Sequence, residues 1–197
     1  MTSQNPAPQA AAAATLTLLC LIAATPRHVS AADPPQAISP EAQQLVPQLG
    51  ASDAFQRQLA FMQLEALREP ATAEIVRQYL ADSNPETRSF SVRALAAIEG
   101  PAAIPTIIEM LRTDRQPVVR LAALLAIEPF EDPRILPELI GALTDRHPHV
   151  RMVAIDAVSR IDHPLAKEAI LTRSRREGNR DVRRVLQTAM RRIQGGA

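Results

Sequence analysis

Apolar side chains return every three or four positions through Ile104, Ile107, Ile108 and Leu111, and the same stripe reappears at Ile135, Leu139, Ile140 and Leu143. That spacing predicts short helices, each with one buried face. A second apolar series keeps step with five arginines, Arg57, Arg88, Arg120, Arg151 and Arg183, which recur 31 or 32 residues apart. Seven positions after each arginine stand Leu64, Leu95, Ile127, Val158 and Met190, and ten positions after stand Leu67, Ile98, Phe130, Ile161 and Ile193. Six positions after, the residue is Ala94, Ala126, Ala157 or Ala189, with Gln63 in the first unit. A small residue there suits close helix approach. A period of this size marks stacked supersecondary units, none of which buries its apolar face alone.

Prolines set the same phase independently. Pro40, Pro70, Pro101, Pro133 and Pro164 precede the first helix of each unit. Proline is tolerated at a first helical position because its missing N–H would have had no partner there. Ser39 and Asp132 are candidate N-caps. A second proline, in Asp82-Ser83-Asn84-Pro85, Asp114-Arg115-Gln116-Pro117 and Asp145-Arg146-His147-Pro148, opens the second helix. The units therefore span 40–67, 70–98, 101–130, 133–161 and 164–193. The outer units should differ, since each has a face without a neighbour, and Gln187, Arg191 and Arg192 bring polarity to the last. The fold class expected is all-α, a right-handed α-solenoid (α-α superhelix) of about five helix pairs, in a repeat domain over 40–197.

The segments Ala103 to Leu111 and Asp114 to Ala123 resemble HEAT repeats, and the short period resembles the subclass named after phycobilisome lyases. Its marks, an Asp in the turn and a Val-Arg pair entering the second helix, are carried by Asp114, Val119 and Arg120 and by Asp145, Val150 and Arg151. They are also carried by Val182 and Arg183, with Glu177 in the Asp position. The second unit has Asp82 and Arg88 but Thr87 in place of Val, and the first is out of spacing. The resemblance implies a solenoid whose second helices line a concave surface commonly used to bind proteins. The family also includes bilin lyases and an iron-dependent hydroxylase, so fold alone does not decide chemistry.

Composition narrows the field. Aromatics are 3% with no Trp, which leaves few platforms for stacking bases or sugars. One cysteine, Cys20, excludes an intrachain disulfide and a multi-thiolate zinc site. The apolar run Ala10 to Thr25, followed by Val29-Ser30-Ala31-Ala32, reads as an export signal over 1–31 cut near Ala31, although no Lys or Arg precedes the run. A Pro-rich linker over 32–39 follows. The location expected is periplasmic or extracellular. The alternatives are a lipid anchor at Cys20, or a cytoplasmic protein that retains an Ala/Pro-rich tail.

Candidate chemistry is sparse. Arginine's planar fork can bond a carboxylate and turn carbonyls together, so Asp82, Arg88, Asp114, Arg120, Asp145, Arg151 and Arg183 are expected to form a structural ladder between repeats. His147, His149 and His163 cannot share one ion, because a dozen helical residues separate the first two from the third by roughly 18 Å. No His-Glu pair, Gly-rich phosphate loop or G-x-S-x-G elbow is present. No catalytic residue, metal or cofactor is expected.

Two surfaces remain as candidates. Positions one and five after the repeated arginine should face outward on the concave side, giving a partner-binding patch of Arg93, Leu121, Leu125, Met152 and Asp156. From Pro164 on, nine basic side chains face three acidic ones, a net +6 that leaves −5 on the preceding 163 residues. Arg173, Arg175, Arg176, Arg180, Arg184, Arg191 and Arg192 thus form a candidate basic patch for an anionic surface. The expected role is a monomeric, non-catalytic scaffold or adaptor with a protein or peptide partner. The alternatives are a bilin-lyase-like enzyme or subunit and a binder of an anionic surface or nucleic acid, the last disfavoured by export.

Overall fold

Among the described residues, ten α-helices follow from these signals. The computed structural model describes residues 37–195; the expected export signal, most of the linker, and Gly196 and Ala197 lie outside them. The helices are α1 (Pro40–Leu45), α2 (Ala54–Leu67), α3 (Ala73–Gln78), α4 (Pro85–Glu99), α5 (Ile104–Thr113), α6 (Pro117–Ile127), α7 (Ile135–Ala142), α8 (Pro148–Arg160), α9 (Pro164–Ser174) and α10 (Arg180–Gly195). Among the described residues no strand occurs. Odd-numbered helices are the first members of each pair (A helices) and even-numbered ones the second (B helices). This is the expected α-solenoid of five helix pairs.

The prolines act in two ways. Pro85, Pro117 and Pro148 open α4, α6 and α8, and Pro40 and Pro164 open α1 and α9. Pro70 and Pro101 open 3₁₀ turns instead, and α3 and α5 begin only at Ala73 and Ile104. Pro133 lies two residues before α7, where Asp132 accepts the Arg134 N–H at 2.8 Å. Ser39 Oγ accepts the Ala42 N–H at 3.1 Å and donates to Glu69 Oε2 at 2.6 Å, joining the starts of the first two units.

B helices pack on B helices along the array, and their contact line is lined by small residues: Ala94, Ala157 and Ala189 are buried. Gln63, in the same register, is exposed because no earlier B helix lies against α2 among the described residues. Gln187 is exposed at the other end, where no later B helix follows α10 among the described residues. Between the two layers Leu64, Leu95, Leu124, Ile127, Ile155 and Leu186 meet Leu49, Ile104, Ile107, Leu139 and Ile170 in one continuous core. Within the stretch Pro85–Thr113 an 18-residue window has a mean hydropathy of 1.4, apolar and long enough to cross a membrane by length and composition alone. Gly100, with φ +59°, breaks it into α4 and α5, and both pack into this core.

Candidate functional site

The turn between the helices of each pair is closed by an acid. One oxygen of Asp82, Asp114, Asp145 and Glu177 accepts the N–H two residues on, from Asn84, Gln116, His147 and Asn179, at 2.7 to 2.8 Å. For Asp114, Asp145 and Glu177 the arginine of the preceding unit then takes hold of the same acid. Arg88 donates from Nε and Nη2 to Asp114 at 2.8 and 3.0 Å, Arg120 to Asp145 at 2.7 Å twice, and Arg151 to Glu177 at 2.9 and 3.0 Å. Nη1 of each arginine meanwhile donates to carbonyls of its own turn, such as Asp82 and Ser83 for Arg88. One guanidinium thus fixes its own turn and the next.

These bonds set the charge state of the ladder. Burial alone would push Asp114 and Asp145 up, but the bonds from Arg88 and Arg120, then the turn amides, hold both below the ordinary carboxylate range. Burial pushes Glu177 up as well, yet Arg151, Arg173 and the Asn179 N–H together bring it down to about 2. The bonds to Asp114 and Asp145 raise Arg88 and Arg120 against the opposing effect of burial.

Both ends of the ladder depart from the expected pattern. Arg183 is exposed and forms no rung among the described residues, since no further turn lies in register to receive it. Asp82 takes no arginine: Arg57 donates from Nη1 to the carbonyls of Ala51 and Ser52 at 2.6 and 2.8 Å, and its buried Nε is left without a partner. Thr87, standing where Val119 and Val150 stand in the next units, is buried with its hydroxyl unpaired.

The expected concave patch divides. Leu121 and Met152 are half-buried and pack against the core, because the position one after the arginine sits at the seam with the following B helix. Asp156 is taken up by Arg160 at 3.3 Å and by Arg192 at 3.0 Å. Arg93 and Leu125, by contrast, share a cleft of about 570 Å³ beside the C-terminal ends of α2, α4 and α6. Leu125, 48% exposed, stands with Ala97, Ala126, Pro129 and Phe130 along its apolar side. At the rim Arg93 is held by Glu65 at 3.0 Å, and Arg68 joins them.

Arg68 escapes the repeat pattern altogether. It follows the last residue of α2 with φ 50° and ψ 38°, the left-handed conformation that favours glycine; Gly100, just after α4, also has a positive φ but with ψ −134°. Its side chain is exposed and makes no ion pair among the described residues. A helix-ending position held by arginine where glycine is usual was the only sequence signal for it.

The basic end is thinner than its composition implies. Arg173 is bonded to Glu177 at 3.0 Å through Nε, and Arg192 donates to Asp156 and, at 2.6 Å, to Ser159 Oγ. Arg184 lies 3.6 Å from Asp181 and Arg191 3.3 Å from Thr188 Oγ1. Arg175, Arg176 and Arg180 are exposed without a carboxylate partner among the described residues. The rings of His147 and His149 meet edge to face at 5.5 Å, while His163 caps α9, its Nδ1 accepting the Leu165 N–H at 3.2 Å.

Paired helices in register, joined turn to turn by an arginine ladder and presenting one layer of helices on an open face, define an α-solenoid of the repeat type. The chain belongs to the HEAT-repeat family: the family model described as HEAT repeats matches residues 42–128 and 106–191. Among solved structures, the complex of CpcE and CpcF of phycocyanin lyase from Nostoc sp. PCC7120 is similar at 23% identity and a TM-score of 0.62, over 75% of this chain and 96% of that one. That likeness is one of fold. An engineered protein (20% identity, 79% and 80% covered, TM-score 0.49) and human deoxyhypusine hydroxylase with glycerol (19% identity, 78% and 74% covered, TM-score 0.34) also match. No curated protein matches the chain by sequence.

Proposed function

We propose that the chain is a non-catalytic scaffold or adaptor that binds a protein or peptide segment in the concave cleft at Leu125. The observation that carries this reading is the exposure of Leu125 on the rigid B-helix layer, beside two arginines that do not belong to the ladder. An apolar side chain set among charges on a pre-formed surface is the composition of a peptide-binding anchor point. The chemistry fits a segment that places an apolar side chain against Leu125 and Phe130 and a carboxylate near Arg93 and Arg68. The similar phycocyanin lyase structure is a complex of two chains, which supports a protein as partner. The bilin-lyase-like alternative rests on fold alone, and fold does not carry chemistry.

Export to the periplasm or the extracellular space belongs to the same proposal, and the apolar run Ala10 to Thr25 supports it. Determining the amino terminus of the mature protein tests that part: cleavage near Ala31 is expected, and retention of residues 1–31 in a cytoplasmic protein contradicts it. For the cleft, a photo-crosslinking amino acid placed at position 125 should trap a partner that the same group at position 112, on the A-helix layer, does not. Equal trapping at both positions would remove the cleft as the site.

A further inference from the structure

The A helices are strapped to one another by polar side chains until the last pair. Arg77, at the end of α3, donates from Nη1 to Thr106 Oγ1 of α5 at 3.1 Å. Arg112, near the end of α5, donates from Nε to Glu138 of α7 at 2.7 Å. Thr106 and Glu138 occupy one register, each just before a buried core residue, Ile107 and Leu139. In α9 the same register, before buried Ile170, is held by Ala169, and the register of Arg112, just after a buried leucine, is held by Thr144, two residues past the end of α7. Neither Ala169 nor Thr144 can form the strap.

The result is an open groove of about 710 Å³ between α7 and α9. The α7 wall is apolar, with Leu136, Pro137 and Ile140. The α9 wall carries Leu165, 56% exposed, and ends at Arg176, which has no carboxylate partner among the described residues. Arg173 lines the same end, bonded to Glu177, and Glu168 is the only acid lining the groove. Two helix walls open along their length accept a third helix by ridge-in-groove packing. The excess of positive charge at one end selects the sign of its partner.

We propose that the α7–α9 groove docks an amphipathic helix of a partner protein, its apolar stripe against Leu136, Ile140 and Leu165 and its carboxylates toward Arg176. The site is separate from the concave cleft and does not depend on it. The test is a displayed library of 16-residue amphipathic helices panned against the whole chain, followed by titration of the labelled winning peptide. The winners should carry an apolar stripe and an excess of Asp and Glu. Binding should fall about tenfold with Arg176→Glu, a reversal at an exposed position. It should fall at least as far with Thr144→Arg plus Ala169→Glu, which rebuilds the Arg112–Glu138 strap across the groove, while unfolding midpoints stay at or above that of the unaltered chain. Leu125→Glu should leave binding unchanged. The proposal is overturned if no helix is enriched, if the winners are basic or uncharged, if Arg176→Glu has no effect, or if Leu125→Glu abolishes binding. It is likewise overturned if phosphatidylglycerol vesicles occupy the groove in preference to any peptide.

Discussion

Arg120 donates from Nε and Nη2 to both carboxylate oxygens of Asp145 at 2.7 Å, while its Nη1 holds the carbonyls of Asp114 and Arg115 at 3.0 and 3.1 Å. Arg120 is buried and the Asp145 side chain is 10% exposed, so removing one leaves the other charged and largely shielded from water without its partner. Arg120→Ala should therefore destabilise the array by about 3 kcal/mol, read as a shift in the urea midpoint. Arg183→Ala, at the open end of the series, should stay within about 0.5 kcal/mol. Equal effects of the two substitutions would remove the ladder as a source of stability.

Glu177 joins two arginines and one backbone amide, and its folded value of about 2 lies below the ordinary 4.5. A depressed acid contributes stability that is fully present above the unfolded value and lost as pH falls through the folded one. The contribution should hold at pH 7 and fade between 4.5 and about 2. Glu177→Gln should cost about 3 kcal/mol at neutral pH, and the gap to the unaltered protein should close toward pH 2. A gap independent of pH in urea titrations would contradict this.

Thr87 is buried with an unpaired hydroxyl where the neighbouring units place valine. A buried polar atom without a partner keeps its desolvation cost, so Thr87→Val, nearly the same shape, should stabilise the chain by about 1 kcal/mol. Thermal unfolding of the variant checks it, and a fall in the midpoint would mean that the hydroxyl is satisfied.

Arg68 holds a left-handed backbone conformation at the end of α2. Arg68→Gly should relieve that strain and stabilise the fold by about 0.5–1 kcal/mol. The same substitution removes one of the two guanidinium groups of the concave cleft, so partner affinity should fall as stability rises. A variant that gains stability and keeps its affinity would show that Arg68 takes no part in recognition.

Much of the fold is legible in the residues themselves. Arginine, proline and aspartate recur for separate physical reasons, a carboxylate clamp, a helix start and a turn closure, and all three keep one phase. The concave face is legible only in part. Leu125 and Leu121 are four residues apart on α6, and whether such a position faces outward or into the seam depends on how closely the next B helix approaches. The repeat pattern does not encode that distance. Arg68 was hidden because its importance lies in a backbone angle. The α7–α9 groove was hidden because it arises from side chains missing at Thr144 and Ala169, and an absence leaves no periodic signal. The open first rung at Arg57 left no trace in the spacing, since Asp82 lies 25 residues after Arg57 just as Asp145 lies 25 after Arg120.

The central claim is that Leu125 anchors a partner on the concave surface. Leu125→Glu, measured side by side for unfolding and for affinity toward the partner trapped at position 125, tests it most directly. An exposed site should tolerate the charge with a stability change within about 0.5 kcal/mol, while affinity falls at least about tenfold as the apolar contact is lost. Unchanged affinity in a folded variant would contradict the account, as would a severe loss of stability, which would place Leu125 in the core.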